Sequence, residues 1–385
     1  MRSPSSILLP ALFLIACGCA AAIEPQTSPA VKWDRSTLTL IQEGAGYGRM
    51  IRLDDGQILC CYDRGGVIRA RKSKDDGKHW AGETLVAQCD YGVATNPEIL
   101  KLSNGWVLLS YNERPRDGLH PFAIRTAISK DAGATWSRPA LVYAADTRHE
   151  NGCWEPAQIQ LPSGEIQLFF ANENPYWTSD EQDITELRSS DNAATWSKPQ
   201  TVSFRPGHRD GMPSPLHLRD GKGIVVAIED RGVTGFFNPV IIYSPMADNW
   251  SAGPVDGASE RRWCALSTPV EPPRYASAPC IRQLPSGQTI LSAQSNVGGK
   301  TVQMVVYVGD DQARNFAARS TPFDLPDGVD GLWNSLFLKD ASTVTAISGT
   351  VIDGVRGLWA IDGRVVRAGS KTRRQSMPAL ERMRQ

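Results

Sequence analysis

Hydrophobic and polar residues fall along this chain in short paired runs, and the pairs recur. Six segments share one pattern, an apolar stretch on each side of a turn rich in Gly, Asp or Asn. They are RLDDGQILCCY (52–62), KLSNGWVLLSY (101–111), QLPSGEIQLFF (160–170), HLRDGKGIVVAI (217–228), QLPSGQTILSA (283–293) and FLKDASTVTAIS (337–348). Their leading Leu residues stand at 53, 102, 161, 218, 284 and 338, at intervals of 49, 59, 57, 66 and 54. Each segment predicts two strands joined by a tight turn. Recurrence on this scale marks a repeat architecture rather than a set of unrelated hairpins.

A second series interleaves with the first: SKDDGKHW (73–80), SKDAGATW (129–136), SSDNAATW (189–196) and a worn copy, SPMADNW (244–250). The chemistry of S-x-D-x-G-x-T-W is that of a turn. Asp bonds the amides that follow it, Gly supplies a positive φ, and Trp packs beneath. The series resembles the Asp-box of the sialidase-like β-propellers, and the likeness spans about residues 31–369. It implies an all-β fold, a six-bladed β-propeller with four antiparallel strands per blade. The first series then turns between strands one and two of each blade, and the Asp-box turns between strands three and four. The early segment KWDRSTLTLIQ (32–42) is expected to complete the last blade and lock the ring. Residues 31–369 are expected to form one domain.

Two segments flank it. Residues 1–22 read as an export segment: Arg2 supplies the positive end, and the apolar run 7–16 is too short to span a bilayer. Leu14-Ile15-Ala16-Cys17 resembles a bacterial lipobox, which implies attachment to a membrane through a lipidated Cys17. The alternative is an ordinary secretory peptide cut near residues 20–22. Either way the mature protein is expected outside the cytoplasm. Residues 370–385 form a basic tail, expected to be frayed and solvated.

The formal net charge is zero, which gives no electrostatic case for nucleic acid. Six Cys lie beyond the export segment, with no CxxC pair, and spacing alone fixes no disulfide pairing. The five His show no metal-ligand spacing, and no cofactor is expected.

The topology sends the start of strand one and the end of strand two of every blade to one face, around the axis. Acids recur there together with Arg, Asn and aromatic residues, and the turn face has nothing comparable. Arg49, Asp63, Glu113, Glu155, Glu173, Asp210 and Glu229 are expected to converge, with His208, Arg209 and Arg231 beside them. Trp154, Trp177, Phe236 and Trp333 supply apolar walls. Carboxylates, guanidinium donors and aromatic faces together suit a sugar, and glycoside hydrolysis needs two carboxyl groups. Glu155, pinned between Trp154 and Pro156, is the candidate acid. Glu229, ending the next blade's second strand, is the candidate nucleophile.

The set CWEP, LPSGE, FFANE, RDGMP and AIED is similar to the exo-α-1,5-L-arabinanase family, which is six-bladed and uses two Glu in a retaining mechanism. The resemblance implies the same acid/base and nucleophile assignment for Glu155 and Glu229, and an arabinan-like polysaccharide chain end as substrate. Sialidases carry an Arg triad and a Tyr nucleophile. Here GRMIRL stands where their Arg-Ile-Pro is expected, and Trp333 where their Tyr is expected. An exo-glycosidase for an acidic sugar, sialidase included, and a non-catalytic glycan-binding lipoprotein are the two alternatives.

Overall fold

Apolar runs flanked by tight turns form strands here because each blade buries both faces of its middle strands. Ile166–Asn172 and Thr289–Ser295, for example, are buried at every position. A strand covered on both faces reads as a continuous apolar run rather than an alternation. The computed structural model describes residues 28–299 and 301–366. The export segment with Cys17 and the basic tail therefore lie outside the described residues. Among those residues the regular structure is 24 strands and one 3-10 turn, His149–Asn151.

The strands form six antiparallel four-stranded sheets. Blades 1 to 5 span residues 46–87, 92–144, 153–203, 210–264 and 276–320, each a simple up-and-down meander. Blade 6 takes three strands from 332–366, and its outer strand is Ala30–Glu43, paired antiparallel with Val355–Val366. The first strand thus closes the ring onto the last blade, as the segment 32–42 predicts. The hydrophobic core lies between neighbouring blades. Phe169, Phe170 and Leu168 of blade 3 pack with Ile224, Val226 and Ile228 of blade 4, all fully buried. Each such side chain contributes about 1.5–3 kcal/mol of burial.

The Asp-boxes hold the far face. In four of them the Asp Oδ1 accepts the amide four residues on: His79 to Asp75 at 2.9 Å, Thr135 to Asp131 at 2.8 Å, Thr195 to Asp191 at 2.9 Å, and Ala252 to Asp248 at 2.8 Å. Blade 5 carries a fifth that the sequence pattern does not predict. There the Arg314 amide meets Asp310 Oδ1 at 2.9 Å. Val308 and Asn315 stand at the Ser and Trp positions, and Phe316, one residue further on, is the buried aromatic. A Cβ at Gly309 would lie 2.7 Å from Phe316, so the aromatic fits only without the side chain.

Candidate active site

The innermost strand of every blade is a free sheet edge facing the axis, and each carries the same irregularity. Its pairing slips by one residue near its start. In each slip one residue adopts a positive φ: Tyr47 (51°), Asn96 (50°), Glu155 (48°), Met212 (47°), Ala278 (48°) and Trp333 (56°). This is a β-bulge repeated around the ring, a device that re-aims side chains. In four blades the next residue is Pro (97, 156, 213 and 279), tolerated because an edge strand needs no further ladder donor. Positive φ in residues other than Gly costs about 1–3 kcal/mol at each place, and such strain concentrates at functional sites.

Above this ring opens a cavity of ≈ 820 Å³ lined from five blades. Blade 2 contributes Arg114; blade 3 Trp154, Glu155, Glu173 and Gln182; blade 4 Arg209, Met212, Glu229, Arg231 and Phe236; blade 5 Tyr275, Ser277 and Gln294; blade 6 Trp333. Glu155 and Glu229 face the same cavity. The Glu155 amide donates to Asn112 Oδ1 at 2.8 Å, and its carboxylate takes Arg114 Nη2 at 3.1 Å. Burial raises the Glu155 pKa, Arg114 opposes the rise, and the Glu173 charge adds to it. Glu229 has no bonded cation. Burial pushes its pKa up to about 7; its one hydrogen bond, from the Ala278 amide at 2.9 Å, opposes this, and the charge of Glu155 adds to it.

Glu229 also has a steric seat. It pairs with Gly211, where an added Cβ would stand 2.9 Å from Glu229 Oε1 and 2.7 Å from Gln182 Oε1. Glu173 is fully engaged. It accepts Trp154 Nε1 at 2.8 Å and Gln182 Nε2 at 3.0 Å, and it pairs with Arg209. Its role is to fix the Trp154 wall and Arg209, both of which line the cavity. Arg231 pairs with Asp180 at 3.1 Å.

A family model described as a BNR repeat-like domain matches residues 105–329. The chain belongs to the BNR repeat-like family. No curated protein matches the sequence of this BNR protein. Among solved structures it is similar to a Penicillium chrysogenum alpha-L-arabinanase complexed with arabinobiose, at 17% identity and TM-score 0.65, over 88% of this chain and 99% of that one. It is similar to a GH93 alpha-L-arabinofuranosidase of Fusarium graminearum, also with arabinobiose, at 18% identity and TM-score 0.64, over 89% and 96%. A sialidase from Streptococcus pneumoniae aligns at 12% identity and TM-score 0.55, over 85% and 70%. At these identities the likeness is one of fold.

Of the residues the sequence singles out, this BNR fold brings Trp154, Glu155, Glu173, Arg209, Glu229, Arg231, Phe236 and Trp333 to one cavity. Others go elsewhere. Asp210 is fully buried inside blade 4, paired with Arg262 and bonded by Ser203 Oγ at 2.6 Å. Glu113 turns outward within blade 2 to Arg125 and to Tyr91, whose hydroxyl donates at 2.9 Å. Asp63 accepts Thr95 Oγ1 across the blade 1–2 boundary at 2.6 Å. Arg49 lies deeper on the axis, bonded to Glu98 at 2.6 Å. Trp177 is 59% exposed beneath Arg148, and His208 offers its carbonyl to the Gln182 amide; neither lines the cavity. Arg114, His149, Gln182, Met212, Gly235, Phe237, Tyr275, Ser277 and Gln294 are the cavity residues that the sequence reading did not choose. Of these only Met212 sits at a bulge; Arg114 and Gln294 lie near the ends of second strands, and Gln182 and Tyr275 lie just before strands, where strand alternation says nothing of direction. In four of the six inner strands the residue before Pro is the signal that marks the bulge. Cys60, Cys61, Cys89, Cys153, Cys264 and Cys280 are free thiols.

Proposed function

We propose that the protein is a retaining exo-glycosidase acting on the chain ends of a neutral, arabinan-like polysaccharide. The observation that carries this is a pair of half-buried glutamates from adjacent blades, facing one cavity, one ion-paired and the other not. Burial raises the Glu229 pKa to about 7, and among the described residues no cation is bonded to it, although the Arg209 charge opposes the rise. Burial raises Glu155 as well, but there the ion pair with Arg114 opposes the rise. Two carboxyl groups with separated proton affinities define an acid and a nucleophile. This ordering is the reverse of the one implied by the motif resemblance. In the first step Glu229 gives its proton to the glycosidic oxygen while Glu155 attacks the anomeric carbon, forming an ester and releasing the leaving sugar. In the second, Glu229 takes a proton from water, which displaces Glu155.

Chain-end action is supported by a cavity walled from five blades rather than an open groove. A neutral sugar is supported by the arginines, since each of the three is already paired: Arg114 with Glu155, Arg209 with Glu173 and Arg231 with Asp180. The solved arabinanase and arabinofuranosidase hold arabinobiose on the same fold. The export segment leads us to place the activity outside the cytoplasm. Attachment through Cys17 is supported by the lipobox-like Leu14-Ile15-Ala16-Cys17 alone, with a secretory peptide cut near residues 20–22 as the alternative; among the described residues no helix is long and apolar enough to cross a membrane. The test is a product screen on linear arabinan, sialyllactose and aryl glycosides. Arabinose or a short arabino-oligosaccharide released by the wild type, and lost in Glu155→Gln and Glu229→Gln, supports the reading. Sialic acid release, or no hydrolysis of any of them, sinks it.

A further inference from the structure

Below the sugar pocket the axis continues as a narrower cavity of ≈ 240 Å³, and Glu155 and Met212 line both. Much of its wall is proline, at positions 156, 213, 215 and 279, which offers ring carbons and no N–H donors. The charges that line this sleeve are out of balance. Arg49 Nε donates to Glu98 Oε2 at 2.6 Å, and Arg282 Nη2 stands 4.0 Å from Glu98 Oε1. Glu155, the other carboxylate on the wall, is paired with Arg114 at 3.1 Å. Two guanidinium groups therefore share one carboxylate. The Arg49 side chain is only 9% exposed. Its Nη1 reaches the Gly48 carbonyl at 3.0 Å, while its Nη2 donates to none of the described residues. Ser214, also on the wall, accepts the Ile281 amide at 3.1 Å and keeps its own hydroxyl hydrogen to give. The Arg282 side chain is 27% exposed and its Nη1 donates to the Ile281 carbonyl at 2.8 Å, so the surplus charge sits at Nη2, with no close anionic partner among the described residues.

We infer that this channel binds a small monovalent anion of the halide class, held by Arg49 and Arg282 with Ser214 as a further donor. One negative charge balances the surplus. The inference is independent of what the pocket above cleaves. It is tested on the full protein crystallised from sodium bromide, with anomalous data at the bromine edge. An anomalous peak in the channel against both guanidinium groups is expected. In solution, chloride and bromide are expected to raise Tm saturably, by about 1–3 °C over sodium methanesulfonate at equal ionic strength. Arg282→Met is expected to remove that halide-specific rise. A channel without bromine signal, together with a Tm that follows ionic strength whatever the anion, overturns the proposal. If Arg282→Met does not fold, the wild-type bromine map decides.

Discussion

Gly211→Ala tests whether the seat of Glu229 matters to chemistry rather than to folding. Gly211 does not occupy the left-handed region, so alanine fits its backbone. The added Cβ would stand 2.9 Å from Glu229 Oε1, 3.2 Å from Glu229 Cγ and 2.7 Å from Gln182 Oε1. All three belong to side chains that can give way. Ordinary contact begins near 3.4 Å, so the carboxylate must retreat by roughly half an ångström. Misplacing a reacting group by about 1 Å costs on the order of 100-fold, so kcat is expected to fall by about 10- to 100-fold. Overpacking costs about 1–3 kcal/mol, which a protein this size tolerates. The assay is initial rates on linear arabino-oligosaccharides beside a thermal melt. Wild-type kcat in a variant with an intact melt would refute the claim that Glu229 is held in place by the missing side chain.

Three further outcomes are expected, two from the structure and the third from the lipobox-like sequence at Cys17. Because burial raises the Glu229 pKa to about 7, the acid loses its proton as pH rises through that value; kcat/KM is expected to decline tenfold per unit on the alkaline side, and a rate flat from pH 6 to 9 contradicts the assignment. Asp210→Asn removes one of the two buried carboxylates paired with Arg262, leaving Asp230, and is expected to cost about 1.5–3 kcal/mol of stability while the folded fraction keeps its kcat; a selective loss of kcat would return Asp210 to the site. Cys17→Ser is expected to move the protein from the membrane fraction to the soluble fraction on fractionating the source cells, whereas unchanged partitioning rules out the lipid anchor.

The ring was legible in the sequence because its signals are local. An Asp that bonds the amide four residues on, a Gly in a turn and an aromatic beneath it need nothing distant, so four copies stood out. The copy at Asp310 escaped because Val308 and Asn315 stand at the Ser and Trp positions while the hydrogen bond persists at 2.9 Å. The site was legible only as a face. Choosing among neighbours failed at Asp210 against Gly211 and at Glu113 against Arg114, where one step along a strand reverses the side chain's direction. That direction is set by pairing across blades. Arg114 turns inward to Glu155, a residue 41 positions away in another sheet, and no local pattern encodes it. The dipeptides Asn96-Pro97, Glu155-Pro156, Met212-Pro213 and Ala278-Pro279 did carry the information, since each marks the bulge that points a residue at the axis.

The most direct measurement is azide rescue of the two alanine variants, with the anomeric configuration of the product read by NMR. With the nucleophile removed, azide attacks from the vacated side and yields a glycosyl azide of inverted configuration. With the acid/base removed, azide intercepts the glycosyl-enzyme and yields a retained one. Glu155→Ala is expected to give the inverted product and Glu229→Ala the retained product, on an activated aryl arabinoside. The exchanged pattern would interchange the two roles, and full wild-type turnover in either variant without azide would contradict a two-glutamate mechanism altogether.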